Sequence, residues 1–595
     1  MATSPARSRP PTRRSAPTAG TGRSRSPVGA AAARKAPMGR AVVTLPGAAA
    51  KHPGEMSHRE VLEALSGLLL VLFVALISST IVSIALPRII GELHGTQNQY
   101  TWVVTATLLT ATVATPIWGR LADLFPKKLM IQISIGIFIV GSILSGFAQD
   151  TPQLIGARAI QGIGVGGLQA LVQVVLAAMI SPRERGRYNG YTGAVMALAT
   201  VGGPLLGGVI VDTSWLGWRW CFFIGVPFAV AAFGLLQKTL NLVDVRRTDV
   251  KIDYLGAVLI SGGVSILLVW VTFANKSFAW LSWQTAVLVI PSVLILALAV
   301  RVERRAAQPV VPLAIIRQRV PALAILASLA VGMAMFGGAV FLGLYFQVGR
   351  GFSPTKAGLL TIPLMAGVLV ASTIGGRLVT KTGQIRPYVL TGAASLVAGF
   401  VVLSVMRHDT PLWILWTGMV MVGAGVGLTM QNLVLAVQNA VALRDLGASS
   451  GAVTFFRSLG GTAGVAVLGA FLSTQVVAKL TENFIKAGIP VPPGGLAGSA
   501  GSLDLNAVPE PVRSIVRASY GDAVGHIFLI SAAIGLVGLI AALLLPKVSL
   551  RTSIDLPDRD PVGIDGLPET EESIESVTGT SSAAPGGTAP IRRRT

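Results

Sequence analysis

The chain has 595 residues, of which 52% are hydrophobic and only 12% charged, with one cysteine and a net charge of +22. A mean hydropathy of +0.68 excludes a water-soluble globule and points to a polytopic membrane protein. Its basic residues sit in two tails and in short loops, with no basic face carrying aromatics, so no nucleic-acid partner is expected. Cys221 alone excludes an intrachain disulfide and a thiolate cage, and five scattered histidines offer no metal site.

Residues 1–59 are rich in Arg, Pro, Ser, Ala and Gly, without a signal-peptide core, and read as a disordered basic tail. From Val61 onward, apolar runs of spanning length follow one another. They fall near 61–86, 100–121, 129–149, 152–180, 188–211, 219–240, 254–273, 283–301, 320–347, 355–376, 388–406, 411–436, 448–472 and 524–546. The fold expected is therefore all-α and integral to the membrane, with about fourteen transmembrane helices. Lys and Arg gather in alternate loops, including Lys127, Lys128, Arg183, Arg185 and Arg187, Arg301, Arg304, Arg305, Lys381 and Arg386. The positive-inside rule then places both termini in the cytoplasm.

Three echoes reveal an internal duplication. Gly193, Ala194, Val195, Gly202 and Gly203 recur as Gly451, Ala452, Val453, Gly460 and Gly461, 258 positions on. Gly119-Arg120-Leu121 recurs as Gly376-Arg377-Leu378 after 257 positions, and the GIGVG at Gly162 as the GAGVG at Gly423 after 261. Two six-helix pseudo-repeats follow, spanning 60–241 and 311–546, with two inserted helices in 242–310. An outer loop is expected over 473–523 and a disordered cytoplasmic tail over 547–595. Repeats of six helices running the same way imply an axis along the membrane normal.

In the fifth helix Ala199, Gly203 and Gly207 form one small-residue stripe, and Thr200, Pro204 and Gly208 the next. Such stripes let helices approach backbone to backbone in lipid, and a proline removes one helical hydrogen bond. The helix is built either to pack tightly and pivot, or simply as a packing seam.

These segments resemble a major facilitator superfamily transporter of the fourteen-helix drug:proton antiporter branch, over roughly Val61 to Pro546. GRLADLFPKK (Gly119 to Lys128) resembles the family's loop motif, LIGARAIQGIGVGG (Leu154 to Gly167) its helix 4 motif, and GAVMALATVGGPLLGG (Gly193 to Gly208) the antiporter motif. WRWCFFIGVP (Trp218 to Pro227) is similar to the branch's entry into helix 6, with Gly225 where Asn is usual, and TIVSIALP (Thr80 to Pro87) to its helix 1 signature. Two departures stand out. The helix 1 carboxylate linked with proton coupling in the branch is replaced by Ser78, and the loop carries Leu124 and Pro126 for an Arg and a Gly while keeping Asp123, Lys127 and Lys128.

Asp123, at the end of helix 2, is placed to pair with a base or a helix N-terminus and so to latch a gate. Thr380 stands at its place in the second half. Arg158 shares a face with Gln161 in helix 4. A guanidinium at membrane depth costs about 2.5 to 3.5 kcal/mol on insertion scales, so it should face a cavity or a partner. Arg457 in helix 13 invites the same argument. Since no acid lies in mid-helix, proton coupling would fall to a helix-end carboxylate such as Asp123, Glu92 or Asp212.

A substrate cavity is expected from Thr105 and Thr112 on helix 2, Gln169 and Gln173 on helix 4, Gln431 on helix 12, and the aromatics Trp102 and Phe346. The threonines can equally bond their own helix, and the glutamines join helices. The function expected is export of small apolar or amphipathic compounds, drugs or antibiotics, by alternating access in exchange for protons. The alternatives are a dedicated exporter of one metabolite and a non-transporting sensor. A membrane enzyme lacks the clustered acids and bases it would need. No cofactor beyond the proton gradient is expected; the partners are a small-molecule substrate and the lipid bilayer, around a monomer in the plasma membrane.

Overall fold

The apolar runs are helices in the computed structural model, which describes residues 58–95, 97–213, 215–240, 242, 253–274, 278–306, 308–488, 510, 512–547 and 549–551. Nearly all of both expected tails lies outside the described residues. The first half holds α1 (His58–Glu92), α2 (Gln97–Leu124), α3 (Lys127–Phe147), α4 (Thr151–Met179), α5 (Pro182–Asp212) and α6 (Gly225–Thr239), the last preceded by a turn at Trp220–Phe223. The insertion is α7 (Tyr254–Phe273) and α8 (Trp283–Glu303). The second half holds α9 (Arg319–Leu344, continued by a π-helical turn at Tyr345–Gly349), α10 (Ile362–Thr382), α11 (Arg386–Ser404), α12 (Leu412–Ala440), α13 (Leu446–Lys486) and α14 (Val512–Leu544). Among the described residues 13 spans are long and apolar enough to cross a membrane. The fourteenth helix, glycine-rich α5, is 31 residues long.

Local chemistry sets the helix ends. Asp150 caps α4 by accepting Gln153 N–H at 2.8 Å, and Asp253 caps α7 by accepting Gly256 N–H at 2.8 Å. The stop of α10 is Gly383, at φ 68°, where a left-handed residue suits glycine best.

The duplication is visible atom by atom. In α4, Gly162, Gly164 and Gly166 abut Thr107 and Ala111 of α2 and Phe138 of α3; in α12, Gly423, Gly425 and Gly427 abut Leu364 and Val368 of α10 and Leu396 of α11. A Cβ on any of these glycines would strike a neighbouring backbone, so each half closes around its own glycine ladder. The insertion packs as a pair, with Ser292 Oγ donating to Gly263 O at 2.8 Å. It shares a core with both halves: Ile260, Val264 and Leu268 cluster with Phe455 of α13, against Leu109 and Val113 of α2.

The expected outer loop at 473–523 is corrected. Helix α13 continues to Lys486 and α14 begins at Val512. Leu472, Val476, Leu480 and Phe484, spaced by four, bury against α14 in the second-half core. On the polar side Glu482 pairs with Lys479 at 2.9 Å and Lys486 at 2.6 Å. The stripe is apolar but the segment is not, so a search for spanning hydropathy passes over it.

Candidate functional site

Asp123 lies in the last turn of α2 with its side chain 1% exposed. Its Oδ1 accepts the Gly447 N–H at 2.7 Å and its Oδ2 the Ala448 N–H at 2.7 Å. Both amides belong to the first turn of α13, where backbone N–H groups lack helical acceptors and the helix dipole favours an anion. The approach requires glycine: a Cβ on Gly119 would stand 2.5 Å from Gly447 O. Arg120 Nη1 is 3.8 Å from Asp123 Oδ2, an ion pair beyond hydrogen-bond length. Lys128 Nζ donates to Gln237 O at 2.6 Å, tying α3 to α6; Lys127 opens α3 beside it.

The repeat supplies a second crossing without a carboxylate. Gly376 of α10 meets Gly186 of α5, Thr373 meets Gly190 and Ser372 meets Gly193. Arg183 Nε donates to Thr380 O at 3.3 Å.

Arg185, buried at 4% exposure, binds Ile180 O at 2.8 Å, Ala177 O at 2.5 Å and Gln438 Oε1 at 2.9 Å. Gln438 Nε2 donates in turn to Ser450 Oγ at 2.9 Å and Gln173 O at 3.4 Å. Beyond α14, Arg551 donates to Asn439 O and Val441 O, and its carbonyl accepts Arg183 N–H at 3.2 Å. The halves are thus drawn together at the end of the bundle that carries the basic loops.

The antiporter-type motif divides its contacts. Gly193 faces the other half, whereas Gly203 and Gly207 face Thr80 and Ile81 of α1 within the first half, where Thr80 Oγ1 donates to Ala199 O at 3.1 Å. The echo behaves alike, since Gly460, Gly461 and Gly464 pack on Leu329, Phe336 and Met333 of α9. The stripe therefore seals each half, and the contact with the other half lies at its start. The side chains at Pro204, Gly208 and Asp212 lie outside the described residues.

Arg158 is buried in α4 and donates from Nη1 to Gln161 Oε1. Gln161 Nε2 donates to Ser142 Oγ at 2.7 Å and Ser78 Oγ at 3.4 Å. Ser78, standing where the resembled branch carries an acid, is therefore wired to the helix 4 arginine. The guanidinium lies 5.8 Å from the centre of the Phe222 ring.

Of the expected cavity residues, Thr105, Thr112, Gln173 and Gln431 are buried at 3 to 8% exposure, and Gln169 is half-buried. Phe346 is fully buried in the second-half core, 5.4 Å from Tyr345. Trp102 packs on Phe273 of α7 at 5.0 Å. Glu92 is held by Arg88 at 3.0 Å and by Trp218 Nε1 at 2.9 Å.

The Major Facilitator Superfamily model matches residues 68–465. The chain belongs to that superfamily. It is 35% identical over 499 residues to an uncharacterised MFS-type transporter, Rv1877, of Mycobacterium tuberculosis, covering 84% of this chain and 71% of that one. It is 31% identical over 520 residues to the multidrug transporter protein MdtP of Bacillus subtilis, covering 84% and 95%. The solved proton:xylose symporter XylE shares the fold at TM-score 0.52 and 13% identity, over 83% of this chain and 98% of that one. The protein is a multi-pass membrane transporter of this superfamily.

Within this facilitator several site residues escape sequence reasoning. Gly447, Arg120, Arg185 and Arg551 act through partners hundreds of positions away or across a turn, and only helix crossing brings them together. Glu303 falls beyond the 283–301 run expected for the eighth helix. It is instead the last residue of α8, 4% exposed, and accepts Val310 N–H at 3.1 Å and Val311 N–H at 3.2 Å. A carboxylate three residues after Val300 offered the signal, but a span that ends in Glu and two arginines reads as leaving the bilayer.

Proposed function

We propose that the protein exports small amphipathic compounds, drugs or antibiotics among them, across the plasma membrane in exchange for protons. Both termini lie in the cytoplasm, so the latched end is the inner gate. The observation that carries the reading is the Asp123 carboxylate spanning from one half onto the N-terminus of α13 in the other. Neutralising that carboxylate removes the charge that holds the dipole of α13, and the inner gate opens. A proton arriving at Asp123 and a substrate leaving the cavity are then coupled through one rocking motion. The relative named as a multidrug transporter and the 30%-identical efflux pump dotC of Dothistroma septosporum support the direction and the cargo class. Substrate-driven proton release from purified protein in proteoliposomes tests this, beside Asp123→Asn. The expected result is proton release that vanishes in the variant; transport without proton movement would sink the antiport reading.

A further inference from the structure

We propose that Arg457 binds the anionic group of the cargo, and that the preferred substrates are amphipathic organic anions. The inference deepens the export reading and rests on it. Arg457 lies eleven residues into α13, about 16 Å from its start. It is 7% exposed, and its Nη1 is buried without a hydrogen-bond partner. Among the described residues no carboxylate forms an ion pair with it.

A second unmet group shares its depth. On α9 a Cβ at Gly332 would stand 3.1 Å from Arg457 Cγ, and one turn earlier on the same face is Ser328, 1% exposed, with Oγ unpartnered. Helices α9 and α13 run parallel, since Gly460 meets Leu329 and Gly464 meets Met333. Helical side chains lean toward their own N-terminus, so Arg457 leans toward the level of Ser328.

A buried cation and buried hydrogen-bonding groups ordinarily find partners, and at membrane depth the penalty for leaving them bare is high. A carboxylate, sulfonate or phosphate would accept hydrogen bonds from Arg457 Nη1 and the Ser328 hydroxyl. Val331, Leu433 and Val453 line the neighbouring core, which suits an apolar body. Arg158, the other mid-depth guanidinium, also pairs with no acid among the described residues, so the interior field disfavours cations.

The test uses the full chain in proteoliposomes with three fluorescent compounds on one scaffold: a free carboxylate, its methyl ester and a trimethylammonium analogue. The carboxylate is expected to move about tenfold faster than either, from one charge-assisted contact. Arg457→Gln should remove that advantage and Arg457→Lys should keep much of it. An ester or cation carried as fast as the carboxylate by the unaltered protein would overturn the proposal without any variant being needed. A Gln variant that slows all three compounds equally would overturn it too. Transport of none of the three would overturn the export reading and the proposal together.

Discussion

At Asp123 one carboxylate satisfies two amides that α13 could not satisfy itself, and its charged neighbour Arg120 sits too far for a hydrogen bond. Charge-assisted bonds of this kind contribute about 1.5 to 3 kcal/mol each. Asp123→Asn keeps the shape but turns an NH2 group toward an N–H donor. The variant should shift the gate toward the open form by roughly ten- to a hundredfold, read as faster labelling of a cysteine placed at Ser450. Gly447→Val should act in the same direction by a different cause, because its side chain would enter the backbone of Gly119; unchanged labelling in that variant would refute the contact. Asp123 was legible because a carboxylate at a helix end has few uses other than a base or a dipole. Its partner was not, since nothing in the sequence near Gly447 tells which of several helix starts it faces. Arg185 shows the same limit: its three acceptors are two carbonyls and a glutamine amide, and backbone oxygens leave no mark in a sequence.

Element by element, helix number and order could be read because each span must present apolar side chains to lipid. The glycine echoes also carried the repeat correctly, down to Gly162 and Gly423 occupying matching niches against Thr107 and Leu364. What escaped was the length of α13. Its last turns bury a narrow stripe against α14 and leave charged residues on the other side, a pattern of amphipathic and not of spanning helices. Leu480, 2% exposed, belongs to that stripe. Leu480→Ala should destabilise the α13–α14 pair by about 2 to 5 kcal/mol and lower the apparent melting temperature in detergent, while transport by the surviving protein persists. The insertion has its own test. Gly263→Val would push its side chain against Leu296, separate α7 from α8 and loosen their cover over the α2–α13 crossing. Lower thermal stability with an intact Asp123 contact is the expected outcome.

For the molecule as a whole, each half is sealed by its own small-residue ladders. The halves meet along α2–α13 and α5–α10, where glycines again face backbone. One crossing carries the Asp123 carboxylate and the other the Arg183 guanidinium donating to the Thr380 carbonyl. The repeat is thus symmetric in packing and asymmetric in charge, and the proposed coupling assigns the switch between states to Asp123. The measurement that tests this most directly is a distance between spin labels on Glu184 of α5 and Lys381 of α10, both exposed at the latched end, in the parent chain and in Asp123→Asn. A short distance in the parent that gives way to a longer population in the variant is the predicted result. The same distance distribution in both would contradict the latch and, with it, the account of how the halves are held.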